Sequence, residues 1–127
     1  METLKNCDIF LDIEIIENIT GGNEYFEVFF IATDKEKYKL VFDFVWDLRY
    51  SIENASIDRF CQIRKCLPPD LVDNSIFTIE NSKYIKYFEE QTSGTRHIEG
   101  LKHYILYDSV DTTLDVLAAI APVLVKL

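Results

Sequence analysis

Arg49, Glu53 and Arg59 are the residues of this chain whose types and spacing most suggest chemistry. A guanidinium beside a carboxylate can form a structural ion pair, or it can be half of a site for a carboxylate or phosphate ligand. Arg59 falls on the apolar side of the helix expected around it. An arginine there must be paired, because an unpaired buried charge is prohibitive. We therefore read Arg49, Glu53 and Arg59, with His103, as a structural polar cluster joining a strand to a helix. The two histidines, His97 and His103, are the other candidates. His97 sits in a polar loop with Thr95, Arg96 and Glu99, where a phosphoryl or ribonuclease-type site could use it. His103 lies on an alternating strand beside tyrosines, where a hydrogen-bonded structural imidazole is expected. A general base needs an imidazole within hydrogen-bond reach of a nucleophile, and nothing in the sequence marks one. No GxGxxG, Walker, HExxH or GxSxG motif is present, and Gly21-Gly22 reads as a turn rather than a phosphate cradle. The three cysteines Cys7, Cys61 and Cys66 form no CxxC, and with two histidines the zinc patterns are missing. They read as reduced, packed thiols. No catalytic residue, cofactor or metal is expected, and the chain reads as a binding protein rather than an enzyme.

The elements that must hold these residues follow from periodicity. Cys7–Ile16 alternates with acids on one face, the mark of a strand with one wet side. Thr20-Gly21-Gly22-Asn23 supplies a turn, and Glu24–Thr33 is a second strand rich in aromatic and β-branched residues. After the polar turn Asp34–Lys37, every even position from Tyr38 to Ile52 is apolar, which predicts a long third strand to about Tyr50; a helix starting near Val45 is the rival. Ser51 would cap a helix over Ile52–Lys65, ended by Cys66-Leu67-Pro68-Pro69. Ser75–Glu80 is a short strand. Asn81 or Ser82 caps a helix through Phe88 that Gly94 stops. Leu101–Tyr107 is a further strand, and Asp111–Asp115 opens a last helix ending near Pro122. The expectation is one α+β domain over residues 1–127: a mostly antiparallel sheet of about five strands with two to three helices packed on one face.

Composition limits the partners. With 22 acids against 13 Lys+Arg, the net charge of −9 disfavours nucleic acid and anionic membrane, which need a basic face. Seventeen aromatics (Tyr 7, Phe 9, Trp 1) argue for a folded core. The first 16 residues place Glu2, Asp8, Asp12 and Glu14 among their apolar residues, unlike a signal peptide, and no run approaches a membrane span. A cytoplasmic location is expected. The acidity is uneven: residues 1–60 hold 13 acids and 6 bases, and residues 61–127 hold 9 and 7. Asp12, Glu14, Glu17, Glu24 and Glu27, around the first hairpin, are the expected contact patch for a basic protein.

Three segments in order, VWDLRYSIE (Val45–Glu53), IENSKYIKYF (Ile79–Phe88) and LKHYILYDSVDTTLDVLAAIAP (Leu101–Pro122), carry a resemblance. They resemble a group of small acidic bacterial proteins similar to the immunity proteins of toxin systems, including contact-dependent inhibition. Arg49, Glu53, Asn81, Ser82, His103, Tyr104, Asp115, Val116 and Leu117 occupy the matching positions. The resemblance implies a protein that binds a cognate toxin and occludes its active site without catalysing anything. Nuclease toxins need basic surfaces for phosphate, so an acidic inhibitor gains electrostatic steering and mimics the displaced polyanion. Two alternatives stand beside it. One is a cytoplasmic interaction domain or homodimeric regulator using the aromatic third strand, whose unpaired edge would call for a partner. The other is a small enzyme or ligand-binding domain built on Arg49, Glu53, His97 and His103.

Overall fold

Alternating apolar side chains bury one face of a strand, and the chain uses this to stack two antiparallel sheets. The computed structural model describes residues 2–52, 74–91, 98–110 and 112–127. In chain order these residues form β1 (Thr3–Asn6), β2 (Ile13–Gly21), β3 (Phe26–Ala32), β4 (Lys37–Phe42), β5 (Asp47–Ser51), β6 (Ile76–Glu80), helix α1 (Lys83–Gln91), β7 (Lys102–Tyr107), β8 (Thr113–Ala118) and β9 (Val123–Lys126). One sheet has the order β1-β6-β7-β8-β5 and the other β2-β3-β4-β9. Every pairing is antiparallel.

β3 shows the logic most plainly. Phe26, Val28, Phe30 and Ala32 are buried while Glu27, Phe29 and Ile31 between them are partly open. The hairpin into β3 turns on Gly21, whose φ of 103° leaves no room for a side chain: a Cβ there would lie 2.1 Å from the Tyr25 carbonyl oxygen. The turn into β4 closes through Asp34, whose carboxylate accepts the Glu36 N–H at 2.8 Å. That bond, with a second from the Tyr38 hydroxyl, holds the Asp34 carboxyl below its ordinary value.

The apolar stretch Tyr38–Tyr50 does not continue as one strand. It leaves the four-stranded sheet after Phe42, crosses over Asp43–Trp46, and enters the five-stranded sheet as β5. The crossing is pinned by the Val45 N–H to Asn23 O at 2.7 Å and the Trp46 N–H to Leu117 O at 2.8 Å. A straight strand over these residues would run roughly 43 Å, far past its neighbour β3, and its end would lack hydrogen-bond partners. Splitting it gives both halves a partner, β3 for one and β8 for the other.

The main core lies between the sheets. Ile13, Phe26, Val28, Phe30, Leu40 and Phe42 from one sheet meet Ile76, Tyr104, Leu106, Leu114, Val116 and Ala118 from the other. Phe42 and Tyr104 meet edge to face at 5.7 Å. On the far face of the five-stranded sheet, Phe77, Ile79, Ile105 and Tyr107 form a second apolar cluster, with Leu4 packed against it. The middle of the sheet is therefore buried on both faces, and all six residues of β8 are buried.

This architecture corrects the expected α+β fold of one five-stranded sheet carrying two to three helices. Two sheets are stacked, and α1 is the one helix among the described residues. The helix expected from Asp111 to Pro122 is instead β8. A consecutive apolar run fits a strand buried on both faces as well as it fits a helix, and periodicity cannot separate the two. The first strand also shifts: β2 begins at Ile13, not Cys7, and runs on to Gly21. The helix expected over Ile52–Lys65 falls outside the described residues beyond Ile52.

One corner of the sandwich is sewn shut by side chains. The outward N–H groups of Leu11, Ile13 and Ile16 donate to Asn74 Oδ1 (3.0 Å), Ser75 Oγ (2.9 Å) and Asp108 Oδ2 (3.0 Å). Ser109 donates to the Glu14 carbonyl through both its N–H and its hydroxyl. The other oxygen of Asp108, a fully buried residue, accepts the N–H groups of Val110 (3.0 Å) and Thr112 (2.9 Å) in the β7–β8 turn.

Candidate functional site

β7, β8 and α1 converge on three buried polar side chains. His103 of β7 and Asp115 of β8 point to the far face of the five-stranded sheet, and His103 Nε2 lies 2.6 Å from Asp115 Oδ1. On the other side of the ring, Nδ1 lies 2.7 Å from Ser82 Oγ. Ser82 sits immediately before α1 and accepts the Ile85 N–H at 3.1 Å, so it is the helix N-cap. A carboxylate can only accept, so Nε2 carries the hydrogen to Asp115. Nδ1, in the neutral ring, then accepts the Ser82 hydroxyl hydrogen.

The chain Ser82–His103–Asp115 has the bonding order of a nucleophile, base and orienting acid. Its setting is that of a strut. Ser82 is 5% exposed, His103 1% and Asp115 0%. The serine oxygen is held by the helix N–H, and the Tyr84 ring meets the imidazole edge-on at 5.3 Å. The three side chains tie α1 to the two central strands and satisfy one another, with His103 and Asp115 out of reach of water and Ser82 at the wall of a groove.

Arg49 lies over this assembly. In the β5–β8 register it stands opposite Asp115, and its guanidinium carbon is 3.9 Å from the centre of the Tyr84 ring and 5.5 Å from that of Tyr87. Burial, reinforced by the neighbouring Asp47 carboxylate, pushes the Tyr84 phenol far above its ordinary value. The Tyr84 hydroxyl is buried, with the Asp47 carboxylate as a polar neighbour. Burial likewise raises the Tyr104 phenol and the Cys7 thiol.

Of the polar cluster read from the sequence, the structure thus brings Arg49 and His103 against the Tyr84 ring. Glu53 and Arg59, and the loop histidine His97, lie outside the described residues. The partners of His103 were missed. A lone acid inside the run Leu114–Ala121 was a usable signal, because a buried carboxylate requires a donor and His103 is on the preceding strand. Ser82 was legible as a cap but not as a partner of the ring.

A groove of about 730 Å³ opens beside Ser82, lined also by Lys5, Glu80, Lys86, Glu89 and Lys102. Among the described residues no three His, Cys, Asp or Glu side chains lie close enough to hold a metal ion. No helix among them is long and apolar enough to cross a membrane.

The five acids of the first hairpin are not equivalent. Glu14 is paired with Lys35 at 2.6 Å and Glu27 with Lys39 at 2.7 Å. Asp12 accepts the Ser75 hydroxyl at 3.1 Å. Glu17, at a register irregularity of β2, and Glu24, in the hairpin loop, face solvent. The pairing of Phe26 with Phe42 puts exposed Asp43 at the same end of the four-stranded sheet as Glu24 and Tyr25, the latter 50% exposed. A shallow groove of about 230 Å³ lies there between Gly21, Asn23, Val45 and Trp46.

The buried phenols predict an alkaline limit to stability. Both Tyr84 and Tyr104 have folded values above the unfolded value near 10, so their contribution is intact below pH ~10 and is lost as pH rises further. We expect alkaline unfolding above that pH, with their phenolate absorbance appearing together with loss of the β-sheet circular dichroism signal. Tyr84→Phe and Tyr104→Phe should each move the onset upward; an unchanged onset in both would contradict this.

Comparison with known proteins returns no match: no protein-family model, curated protein or solved structure matches the chain.

Proposed function

We propose that the chain is an immunity-type protein that binds a cognate basic toxin, with nucleases the favoured class, and neutralises it by covering the active site. The observation that supports this is the end of the sandwich where Glu24 and Asp43 stand exposed beside Tyr25, with no lysine lining the adjoining groove. Acids that steer a basic partner, set beside an aromatic anchor, are the composition of a protein-binding patch. Of the first-hairpin acids Asp12, Glu14, Glu17, Glu24 and Glu27, Glu17 and Glu24 are the members free of the pairings described above, and Asp12 and Glu14 belong to the opposite end of β2. Such an inhibitor works by occlusion and needs no catalysis, cofactor or metal, and it acts in the cytoplasm against a toxin that enters the cell.

The test is capture of the partner from the native host, identification by mass, and an assay of the partner's toxicity or nuclease activity with and without this chain. The reading expects a basic partner whose activity is blocked. It also expects affinity to fall sharply from ~0.1 M to ~1 M salt, as the Debye length shrinks from ~10 Å to ~3 Å. The double variant Glu24→Lys with Asp43→Lys should weaken binding about tenfold or more, mainly through the association rate. A partner that binds equally well at both salt concentrations, or whose activity is untouched, refutes it.

A further inference from the structure

Open β-sandwiches leave edge strands, and an edge with free backbone groups pairs with another strand unless something blocks it. Of the four edges here, three are protected. β2 carries register irregularities after Ile13 and Ile16, and its outward backbone groups from Leu11 to Ile16 are taken up by Asn74, Ser75, Asp108 and Ser109. β1 and β9 are four residues long, and each ends beside a lysine, Lys5 or Lys126. Among the described residues β5 has no cover of this kind, and its charges, Asp47 and Arg49, are of opposite sign. β8 occupies one side of it, and among the described residues no strand occupies the other. It contains no lysine, proline or irregularity, and it exposes Leu48 (38%) and Tyr50 (53%).

We infer that a second copy of this chain adds its β5 to β5, antiparallel and centred on Leu48, joining the two five-stranded sheets into one continuous sheet. Charge and parity select the register. Leu48 and Tyr50 lie on the sandwich side, with Val116 and Leu114; Asp47 and Arg49 lie on the α1 side, with Leu117 and Asp115. A two-fold axis through Leu48 sets Asp47 of each copy opposite Arg49 of the other, Leu48 opposite Leu48, and Tyr50 opposite Trp46. Directly opposed residues on one face sit within about 5.5 Å at Cβ, close enough for both ion pairs to form. Centring on Arg49 would oppose two arginines and centring on Asp47 two aspartates. A shift of a single residue would turn Leu48 and Tyr50 to the wrong face. An edge of five residues buries less than the ~800 Å² per partner of a standard interface, so the dimer is concentration-dependent. The inference rests on the backbone edge of β5 and not on Glu24, Tyr25 or Asp43, although Asp47 and Leu48 also line the groove beside Trp46.

Light scattering on the purified chain tests it. At ~0.1 mM the mass should approach twice 14.8 kDa and fall on dilution. Asp47→Lys and Arg49→Glu, each alone, should be monomeric, because each opposes like charges twice. An equal mixture of the two should recover the dimer, since the introduced lysine of one copy then faces the introduced glutamate of the other, and the retained Arg49 faces the retained Asp47. A cross-link gives the register without touching Arg49: Leu48→Cys under mild oxidation should form a covalent dimer, and Tyr50→Cys should not. A monomeric wild type at this concentration, an Asp47→Lys variant that still dimerises, or cross-linking at 50 but not 48 would overturn the inference.

Discussion

Asp115→Ala should cost about 3–5 kcal/mol, the expected loss when one partner of a buried pair is removed. Against a total stability of order 5–15 kcal/mol, that leaves the fold marginal. Removing the carboxylate strands the Nε2–H of His103 in a place that water does not reach. The imidazole must then remain buried with an orphaned donor or tear the β7–β8 layer open. Asp115→Asn keeps an acceptor oxygen of the same shape and should cost much less. Ser82→Ala, which loses the helix cap and the partner of Nδ1, should cost about 1–2 kcal/mol. Replacing His103 and Asp115 together by leucines should recover much of the loss, because two apolar groups leave nothing unpaired. Urea unfolding of the four variants measures this order. A loss below ~1 kcal/mol for Asp115→Ala would mean that the three side chains are not the strut described above.

Asp108→Ala should be comparably severe, for a different reason. One carboxylate accepts three backbone N–H groups, two in the β7–β8 turn and one on the edge of β2 in the opposite sheet. A buried donor left without an acceptor, as the Thr112 N–H would be, costs about 1–3 kcal/mol, and the part-buried Ile16 and Val110 N–H groups cost less because water can reach them. The expected total is about 3–4 kcal/mol, a fall in Tm of roughly 10–15 °C for a chain of this size. Asp108→Asn can still accept through one oxygen and should retain the turn while loosening its hold on Ile16. Amide exchange distinguishes the two. Ile16 should lose protection in both variants, while Val110 and Thr112 should lose it in the alanine variant alone.

Much of the four-stranded sheet could be read in the sequence because its signals are local. The glycine turn before Phe26, the Asp34 turn and the aromatic and β-branched run of β3 lie within a few residues of one another. β6, the start of α1 and β7 were legible for the same reason. Three features were not. β5 is severed from β4 although alternation continues across the break, because what breaks the strand is the position of β8, far along the chain. β8 is apolar without period, because it is buried on both faces. The second layer arises from pairings such as Thr3 with Glu80 that leave no local mark. The same distinction holds at the candidate sites. The acids of the hairpin are visible in the sequence, but which of them lysines neutralise depends on register, as with Glu14 and Lys35 or Glu27 and Lys39. His103 was legible as a strand histidine beside tyrosines, whereas its contact with Ser82 depends on where α1 docks.

The strand order also makes the two halves of the chain interdependent. The first half supplies β1 and β5 to opposite borders of a sheet whose middle, β6-β7-β8, belongs to the second half. The second half returns β9 to the sheet built by the first. Neither half can complete either sheet alone. A backbone severed between β5 and β6 would therefore leave two fragments clasped in both layers, each the scaffold on which the other folds.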